Sequence, residues 1–189
     1  LSLKTHFANW CDVDPEMFSG SGDLGHVLQL VYSDVLKNDK NVAKFNSTMY
    51  KHMSDWKSGQ TGLRFAELAH EMNFATLTNK SHQETRWVRA ELRSLQTMLR
   101  NLPVFVAMYA KEEEKCMLES DITGQKDAKG KREELCNLEF VSFAVGLAQI
   151  LEGYAACSLE VQNFKLLPTQ CPEKLRQLQS YLQNLATWK

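Results

Sequence analysis

The chain has 189 residues, with 22 basic and 23 acidic side chains and a formal net charge of -1. Its 9 glycines, 4 prolines and 5 cysteines exclude collagen-like, low-complexity and small disulfide-rich proteins, each of which needs far more of one of these residues. The balanced charge also argues against a nucleic-acid binder that is cationic along its whole length. A chain of this length suits a single domain with its own hydrophobic core.

The first part of the chain is predicted to be a loop-rich segment followed by short helices. Serine, glycine, aspartate and proline punctuate residues 1–22, which predicts loop. Apolar residues then recur every three or four positions over 23–37 and over 41–56, which predicts two amphipathic helices. A shorter helix is predicted for 63–72. The segment 73–77 that follows it is the best candidate for a strand.

The clearest helical pattern comes next. Its apolar residues are spaced four, three, four, three and four positions apart: Val88, Leu92, Leu95, Leu99, Leu102 and Val106. This spacing predicts an amphipathic helix, which Pro103 is expected to kink or restart. The charged segment 112–132 is predicted to be a long exposed loop. Two further helices are predicted, over 138–159 and 175–188.

These elements predict a mainly α fold, a multi-helix bundle. Residues 23–189 are expected to form a single helical domain behind the loop-rich N-terminal segment 1–22, with the loop 112–132 exposed. The longest apolar stretch, from Phe140 to Cys157, is interrupted by Gln149 and Glu152. We therefore expect no membrane-spanning segment.

No residue set in the sequence matches a known catalytic or cofactor-binding pattern. The glycines of Ser19-Gly20-Ser21-Gly22 lack the following lysine that a phosphate-binding loop needs. The five histidines, at positions 6, 26, 52, 70 and 82, have no metal-ligand spacing and are expected to be surface or partly buried residues. We therefore predict no catalytic residue, no metal and no cofactor, which favours a non-enzymatic protein.

The cysteines leave two cellular compartments open. They lie at positions 11, 116, 136, 157 and 171, with no Cys-x-x-Cys pair. This pattern is typical of reduced thiols in a nuclear or cytosolic protein. The alternative is a secreted helical protein with two disulfide bridges and one spare thiol, which the glycosylation-type triplets at Asn46 and Asn79 would suit.

Arginines mark one flank of the clearest helix. Thr85-Arg86-Trp87 opens this helix. The arginines recur three, four and seven positions apart, about 100° round the helix from the leucine stripe: Arg86, Arg89, Arg93 and Arg100. A cationic face with an aromatic residue at its head can contact phosphates and stack on an unpaired base. Alternatively, it is the solvated face of an ordinary amphipathic helix.

The near-zero net charge hides a regional imbalance. Residues 80–111 contain six basic and two acidic side chains, whereas residues 112–139 contain five basic and nine acidic ones. A basic helix that is followed by an acidic segment permits either a polyanion site or a pair of segments that mask each other.

Three short motifs follow one another along the chain. They are Gly25-His26-Val27-Leu28-Gln29-Leu30-Val31, then Thr85-Arg86-Trp87 with its leucine-patterned helix, then the segment 139–162. In this order they resemble the Cys-x-x-His segment, the Thr-Arg-Trp motif and the helical insertion segment of hAT-superfamily DNA transposases. Asp23 stands where the family has its cysteine, so His26 is the matching residue of the first motif.

The resemblance implies a ribonuclease-H-like α/β core that is split by an all-helical insertion, with a remnant of the core near 73–87. The family holds its catalytic metal on two aspartates and a glutamate. This set cannot be placed in the chain, so no catalytic site is expected. The resemblance also implies that Trp87 stacks on a flipped base and Arg86 contacts phosphate. Alternatively, Trp87 packs the helix start against the face that carries Val42 and Trp56.

Two functions are therefore predicted. The first is a non-catalytic domain derived from a hAT transposase, which acts in DNA binding or protein association in the nucleus. The second is a helical interaction module, either a secreted cytokine-like bundle or an intracellular adaptor, with no nucleic-acid role. Both leave room for a protein partner or self-association. The residues assigned to DNA contact and to the motifs are Arg86, Trp87, Arg89, Arg93 and Arg100, together with His26 and Thr85.

Overall fold

The computed structural model describes residues 33–34, 39–56, 59–77, 87–162 and 168–187. This part of the chain is mainly α-helical, so the predicted mainly α, multi-helix class is confirmed. Its elements are α1 (Lys40–Asp55), α2 (Gly59–Glu71), α3 (Trp87–Leu118), α4 (Ile122–Leu135), α5 (Leu138–Val161), the 3-10 helix Pro168–Gln170 and α6 (Cys171–Thr187). The predicted N-terminal loop and nearly all of the helix predicted over 23–37 lie outside the described residues.

The chain divides into two compact units. The first unit comprises Leu1–Ala43, His82–Leu92 and Leu147–Lys189. The second unit comprises Lys44–Ser81 and Arg93–Gly146. Each unit has its own buried side chains.

The second unit has a hydrophobic core between α2 and α3. Leu68 and Ala69 of α2 are buried against Val104 and Met108 of α3. Partly buried side chains surround this core: Trp56, Phe65, Phe74 and Ala107. Apolar residues about one turn apart, such as Phe65 and Leu68 on α2 and Val104 and Met108 on α3, allow each helix to bury one face.

The first unit packs α6 on the second half of α5. Leu175, Leu178 and Leu182 are buried along one face of α6, as the predicted spacing requires. On α5, a Cβ atom at Gly153 would lie 2.5 Å from ring carbons of Tyr181. The Tyr181 hydroxyl donates a hydrogen bond of 2.9 Å to the Gln149 carbonyl. Gly153 therefore makes room for the aromatic ring that joins the two helices.

The predicted exposed loop at 112–132 is wrong, because these residues belong to two helices. Helix α3 continues to Leu118, and α4 begins at Ile122. The connection contains Ser120, whose φ of 60° ends α3, and Asp121, whose carboxylate accepts a 2.9 Å hydrogen bond from the Gly124 N–H. An N-cap of this kind satisfies a helix donor that would otherwise be unpaired.

Ion pairs one helical turn apart explain why a charged sequence is helical here. Lys115 Nζ lies 4.0 Å from Glu112 and 3.9 Å from Glu119, and Lys131 Nζ lies 2.9 Å from Asp127. Each such pair contributes only about 0.2–0.5 kcal/mol, but several together favour the helix over a loop. The two glycines of the segment are tolerated inside α4.

The predicted strand at 73–77 is also wrong. Asn73, with φ of 51°, ends α2, and residues 74–77 have no regular secondary structure. The Leu77 N–H donates to Asn101 Oδ1 over 3.0 Å, and Asn101 Nδ2 donates to the Leu77 carbonyl over 2.9 Å. A side chain of α3 thus takes the place that a neighbouring strand would have. Residues 73–77 give no support to a ribonuclease-H-like remnant, and 78–86 lie outside the described residues.

Helix α5 is, within the described part of the chain, the helix that is long and apolar enough to cross a membrane. Its most apolar window has a mean hydropathy of 1.4, and 39% of that window is buried. The core helix of a soluble protein meets the same criteria. The absence of a membrane span therefore stays a prediction.

Candidate nucleic-acid interface and a buried polar cluster

The predicted arginine face lies on the N-terminal half of α3. Trp87 is the first residue of this helix. Arg89 is half-buried, and Arg93 and Arg100 are exposed. The remaining predicted residues, His26, Thr85 and Arg86, lie outside the described residues.

Arg100 is engaged within the second unit. Its guanidinium carbon lies 5.0 Å from the centroid of the Phe74 ring. Its Nε donates a 3.4 Å hydrogen bond to the Ala75 carbonyl. The contact over the ring is a cation–π interaction, which contributes about 0.5–1 kcal/mol at an exposed site. Arg100 therefore stabilises the segment 74–77, and the helical spacing alone does not distinguish it from the other arginines.

Arg89 and Arg93 have no such engagement. Neither forms an ion pair or hydrogen bond with a residue that the structure describes. Because they are four positions apart on one helix, their side chains leave α3 on the same side, with Cβ atoms about 5–6 Å apart. These two arginines are the part of the predicted face that pairs with no described residue.

Several acidic side chains of the segment 112–139 pair with basic side chains of the same segment. Arg132 lies 2.9 Å from Glu113, and Lys129 lies 3.9 Å from Glu133. Lys111, the last residue of the basic segment 80–111, pairs with Glu71 of α2 at 2.6 Å. Among the described residues, no ion pair joins Arg89 or Arg93 to this acidic segment.

A buried polar cluster, which the sequence did not reveal, joins three helices of the second unit. His52 of α1 has no exposed surface. Its Nδ1 lies 2.9 Å from the Tyr109 hydroxyl of α3, and its Nε2 lies 3.2 Å from Glu134 Oε2 of α4. His52 shares the apolar face of α1 with Met49 and Met53, both buried. That spacing is the sequence signal that could have placed His52 inside.

The cluster extends from Tyr109 to an acidic and a basic side chain. The Tyr109 hydroxyl lies 3.4 Å from Asp55 Oδ2, and Lys131 Nζ lies 3.5 Å from the same oxygen. Burial raises the pKa of Tyr109 well above its usual value, and the nearby Asp55 charge adds to this. Burial also lowers the pKa of His52, although Glu134 opposes the shift. At pH 7 the cluster therefore holds a neutral tyrosine and a neutral histidine.

The first unit contains a groove between α5 and α6. Its volume is about 320 Å³, and its walls include Glu152, Glu160 and Lys174. Lys174 Nζ pairs with Glu160 at 2.9 Å. Cys157 lies in the wall, and burial raises the pKa of its thiol to about 12, so the sulfur stays protonated. The groove thus holds neither a reactive thiolate nor an unpaired lysine.

The cysteines and carboxylates of the described residues form neither a disulfide nor a metal site. Cys116, Cys136, Cys157 and Cys171 are free thiols. Within the same part of the chain, no three His, Cys, Asp or Glu side chains lie close enough together to hold a metal ion.

Three large apolar side chains are exposed where α3 meets α4. Met117, Leu118 and Ile122 expose 61%, 77% and 65% of their surface. Single exposed apolar residues are common on soluble proteins, whereas a contiguous exposed apolar patch is typical of a contact surface. We name Met117, Leu118 and Ile122 the apolar corner.

Comparison with known proteins gives no match: no family model matches the chain, and no significant similarity to a curated protein or a solved structure is found. The likeness to the hAT superfamily therefore depends on the three sequence motifs alone.

Proposed function

We propose that this chain is a non-catalytic helical domain, derived from a hAT-superfamily transposase, that binds DNA in the nucleus through the start of α3. The three sequence motifs, in their order along the chain, are the reason for proposing the hAT superfamily. The observation that carries DNA binding is the pair Arg89 and Arg93, which lies just after Thr85-Arg86-Trp87 and pairs with no described acidic residue.

The arrangement suits a single-stranded or unpaired DNA end. Two guanidinium groups on one side of a helix can contact neighbouring phosphates, and each contact releases counterions. Trp87, at the head of the helix, would stack on an unpaired base, which contributes about 1–3 kcal/mol per base. The proposal depends on the helical part of the chain and needs no remnant of a ribonuclease-H-like core.

Electrophoretic mobility shift with hairpin and single-stranded DNA at low salt tests the proposal. The double variant Arg89→Ala/Arg93→Ala should weaken binding and reduce the slope of log K against log salt by about 0.7 for each lost contact to single-stranded DNA. Trp87→Ala should weaken binding to unpaired ends more than to duplex. Arg64→Ala is the matched control, because Arg64 is exposed on α2 and pairs with no described residue.

The control and the wild type are expected to bind alike. If the wild-type chain does not bind DNA at low salt, the proposal fails. It also fails if the double variant and Trp87→Ala both bind as tightly as the wild type.

The apolar corner favours a second candidate function, which is self-association of a helical interaction module. Sedimentation velocity should then show a larger species as protein concentration rises, and Leu118→Glu should abolish it. Leu63→Glu is the matched control, since Leu63 is 64% exposed but stands alone on α2. A wild-type chain that stays monomeric at every concentration would contradict this candidate.

The secreted form of the interaction module has its own test. That form needs two disulfide bridges, whereas the four described cysteines are free. Five titratable thiols after unfolding without reductant would exclude it. An oxidised pair, or glycan mass at Asn46 or Asn79, would instead favour secretion.

A further inference from the structure

His52 is enclosed by three helices of the second unit, and each ring nitrogen faces one partner. Glu134 of α4 is the partner of Nε2, and the Tyr109 hydroxyl of α3 is the partner of Nδ1. The other charged groups around the ring belong to its own helix, namely Lys51 and Asp55. Because the imidazole is fully buried, its hydrogen bonds must be met by these side chains.

The partners determine the tautomer of the neutral ring. A carboxylate can only accept, so Nε2 must carry the proton and donate it to Glu134. Nδ1 is then an acceptor, and the Tyr109 hydroxyl donates to it over 2.9 Å. The same hydroxyl is also placed to donate to Asp55 Oδ2 over the longer distance of 3.4 Å, but its single proton serves one acceptor at a time.

A second proton on His52 reverses one of these bonds. Nδ1 becomes a donor, so the Tyr109 oxygen must accept from it, and the hydroxyl proton needs another acceptor. Asp55 Oδ2 is within reach, and a rotation of the hydroxyl about its C–O bond is sufficient. The rotation makes and breaks no covalent bond. The cluster gains one proton, which is the one on His52.

We propose that His52, Tyr109 and Asp55 form a buried proton switch, in which protonation of His52 turns the Tyr109 hydroxyl from His52 to Asp55. The consequence of this rotation is a change in the ion pair between Asp55 of α1 and Lys131 of α4. Lys131 shares Asp55 Oδ2 at 3.5 Å and also pairs with Asp127 at 2.9 Å. When the hydroxyl donates to Asp55, it competes with Lys131 for that oxygen, and Lys131 shifts toward Asp127.

The switch operates below pH 6.5, the usual pKa of histidine. Burial holds the pKa of His52 in the folded chain below the usual 6.5, and Glu134 limits that decrease. Because the unfolded chain takes up the proton at a higher pH than the folded chain, this contribution to stability is complete above pH 6.5. It is lost as pH falls from 6.5 through the folded-state pKa.

Nitrogen NMR of the full chain tests the switch, with the His52 signals assigned by loss in His52→Gln. The neutral ring should show a protonated Nε2 and an unprotonated Nδ1. Tyr109→Phe keeps the ring packed against Trp56 but removes the hydroxyl. It should lower the titration midpoint of His52 by about 0.5 to 1 pH unit, because a bond to a charged donor is stronger than one to a neutral ring.

Asp55→Asn and Asp127→Asn provide the matched comparison, since both remove a partner of Lys131. Asp55 lies within hydrogen-bond distance of the Tyr109 hydroxyl, whereas Asp127 acts on Tyr109 through its charge. Asp55→Asn should therefore lower the midpoint more than Asp127→Asn, and the part of its effect that passes through the hydroxyl should disappear in the Tyr109→Phe background. A ring protonated on Nδ1 at neutral pH would overturn the proposal. So would equal shifts in the two aspartate variants, or global unfolding before His52 titrates.

Discussion

Asn101→Ala tests how the segment 74–77 is held on α3. Asn101 is 3% exposed and makes both hydrogen bonds to the Leu77 backbone, at 3.0 and 2.9 Å. The substitution removes both bonds at once. It also replaces asparagine by the best helix former in the middle of α3, so two opposing effects must be compared.

The loss of hydrogen bonds should exceed the gain in helix propensity. Two bonds at about 1 kcal/mol each are set against a propensity gain of up to about 0.7 kcal/mol, which leaves a net loss of about 1.5 kcal/mol. Water can rehydrate part of the exposed Leu77, so the loss should not exceed this by much. The expected result is a lower urea midpoint with an unchanged m-value.

Urea unfolding followed by circular dichroism measures the global change, and hydrogen exchange at the Leu77 amide measures the local one. Asn184→Ala is the matched control, because Asn184 is exposed on α6 and its side chain bonds to no described residue. The control should be as stable as the wild type or slightly more stable. If Asn101→Ala matches the control and the Leu77 amide keeps its protection, the two hydrogen bonds do not hold the segment.

Four further predictions concern three substitutions and the reactivity of two thiols. Gly146→Ala should raise the free energy of unfolding by about 0.5–1 kcal/mol, because a Cβ there meets nothing within 4 Å. Gly153→Ala should lower the free energy of unfolding by about 1–3 kcal/mol, since its Cβ would overlap the Tyr181 ring on α6. Thermal or urea unfolding compares the two glycine variants, and equal effects would refute the packing at Gly153. Ser120→Gly should stabilise the chain by about 0.5 kcal/mol in the same assay by relieving a positive φ, and a loss would show that the turn is unstrained. At pH 8 a disulfide reagent should modify exposed Cys136 rapidly and Cys157, whose thiol has a pKa of about 12, only on unfolding. Similar rates at both thiols would show that Cys157 is not buried.

The helices with a strong apolar pattern could be predicted from the sequence. Burial of Val88, Leu95 and Leu178 follows from spacing alone, because one face of each helix must leave water. Helix α4 could not be predicted in this way. It buries only Ala128 and Leu135, and its stability comes from its cap and from ion pairs along its length.

The details of the candidate sites could be predicted only in part. The arginine spacing predicts a cationic face, but it could not show that Arg100 lies over Phe74, a residue far from it in sequence. The strand prediction failed for a related reason. The local sequence preferences of an extended segment are the same whether its backbone hydrogen bonds are made by one asparagine side chain or by a neighbouring strand. His52 looked like any other lone histidine because its partners are on two other helices.

The short connections of the second unit have a consequence for the order of folding. Only three residues separate α3 from α4, and two separate α4 from α5. The bond between Arg132 and Glu113 joins residues 19 positions apart, whereas that between His52 and Glu134 spans 82. Closing the larger loop, between His52 and Glu134, costs more chain entropy before the contacts that compensate for this cost can form. The α3–α4 hairpin should therefore form first, and His52 should leave water late, when α1 docks.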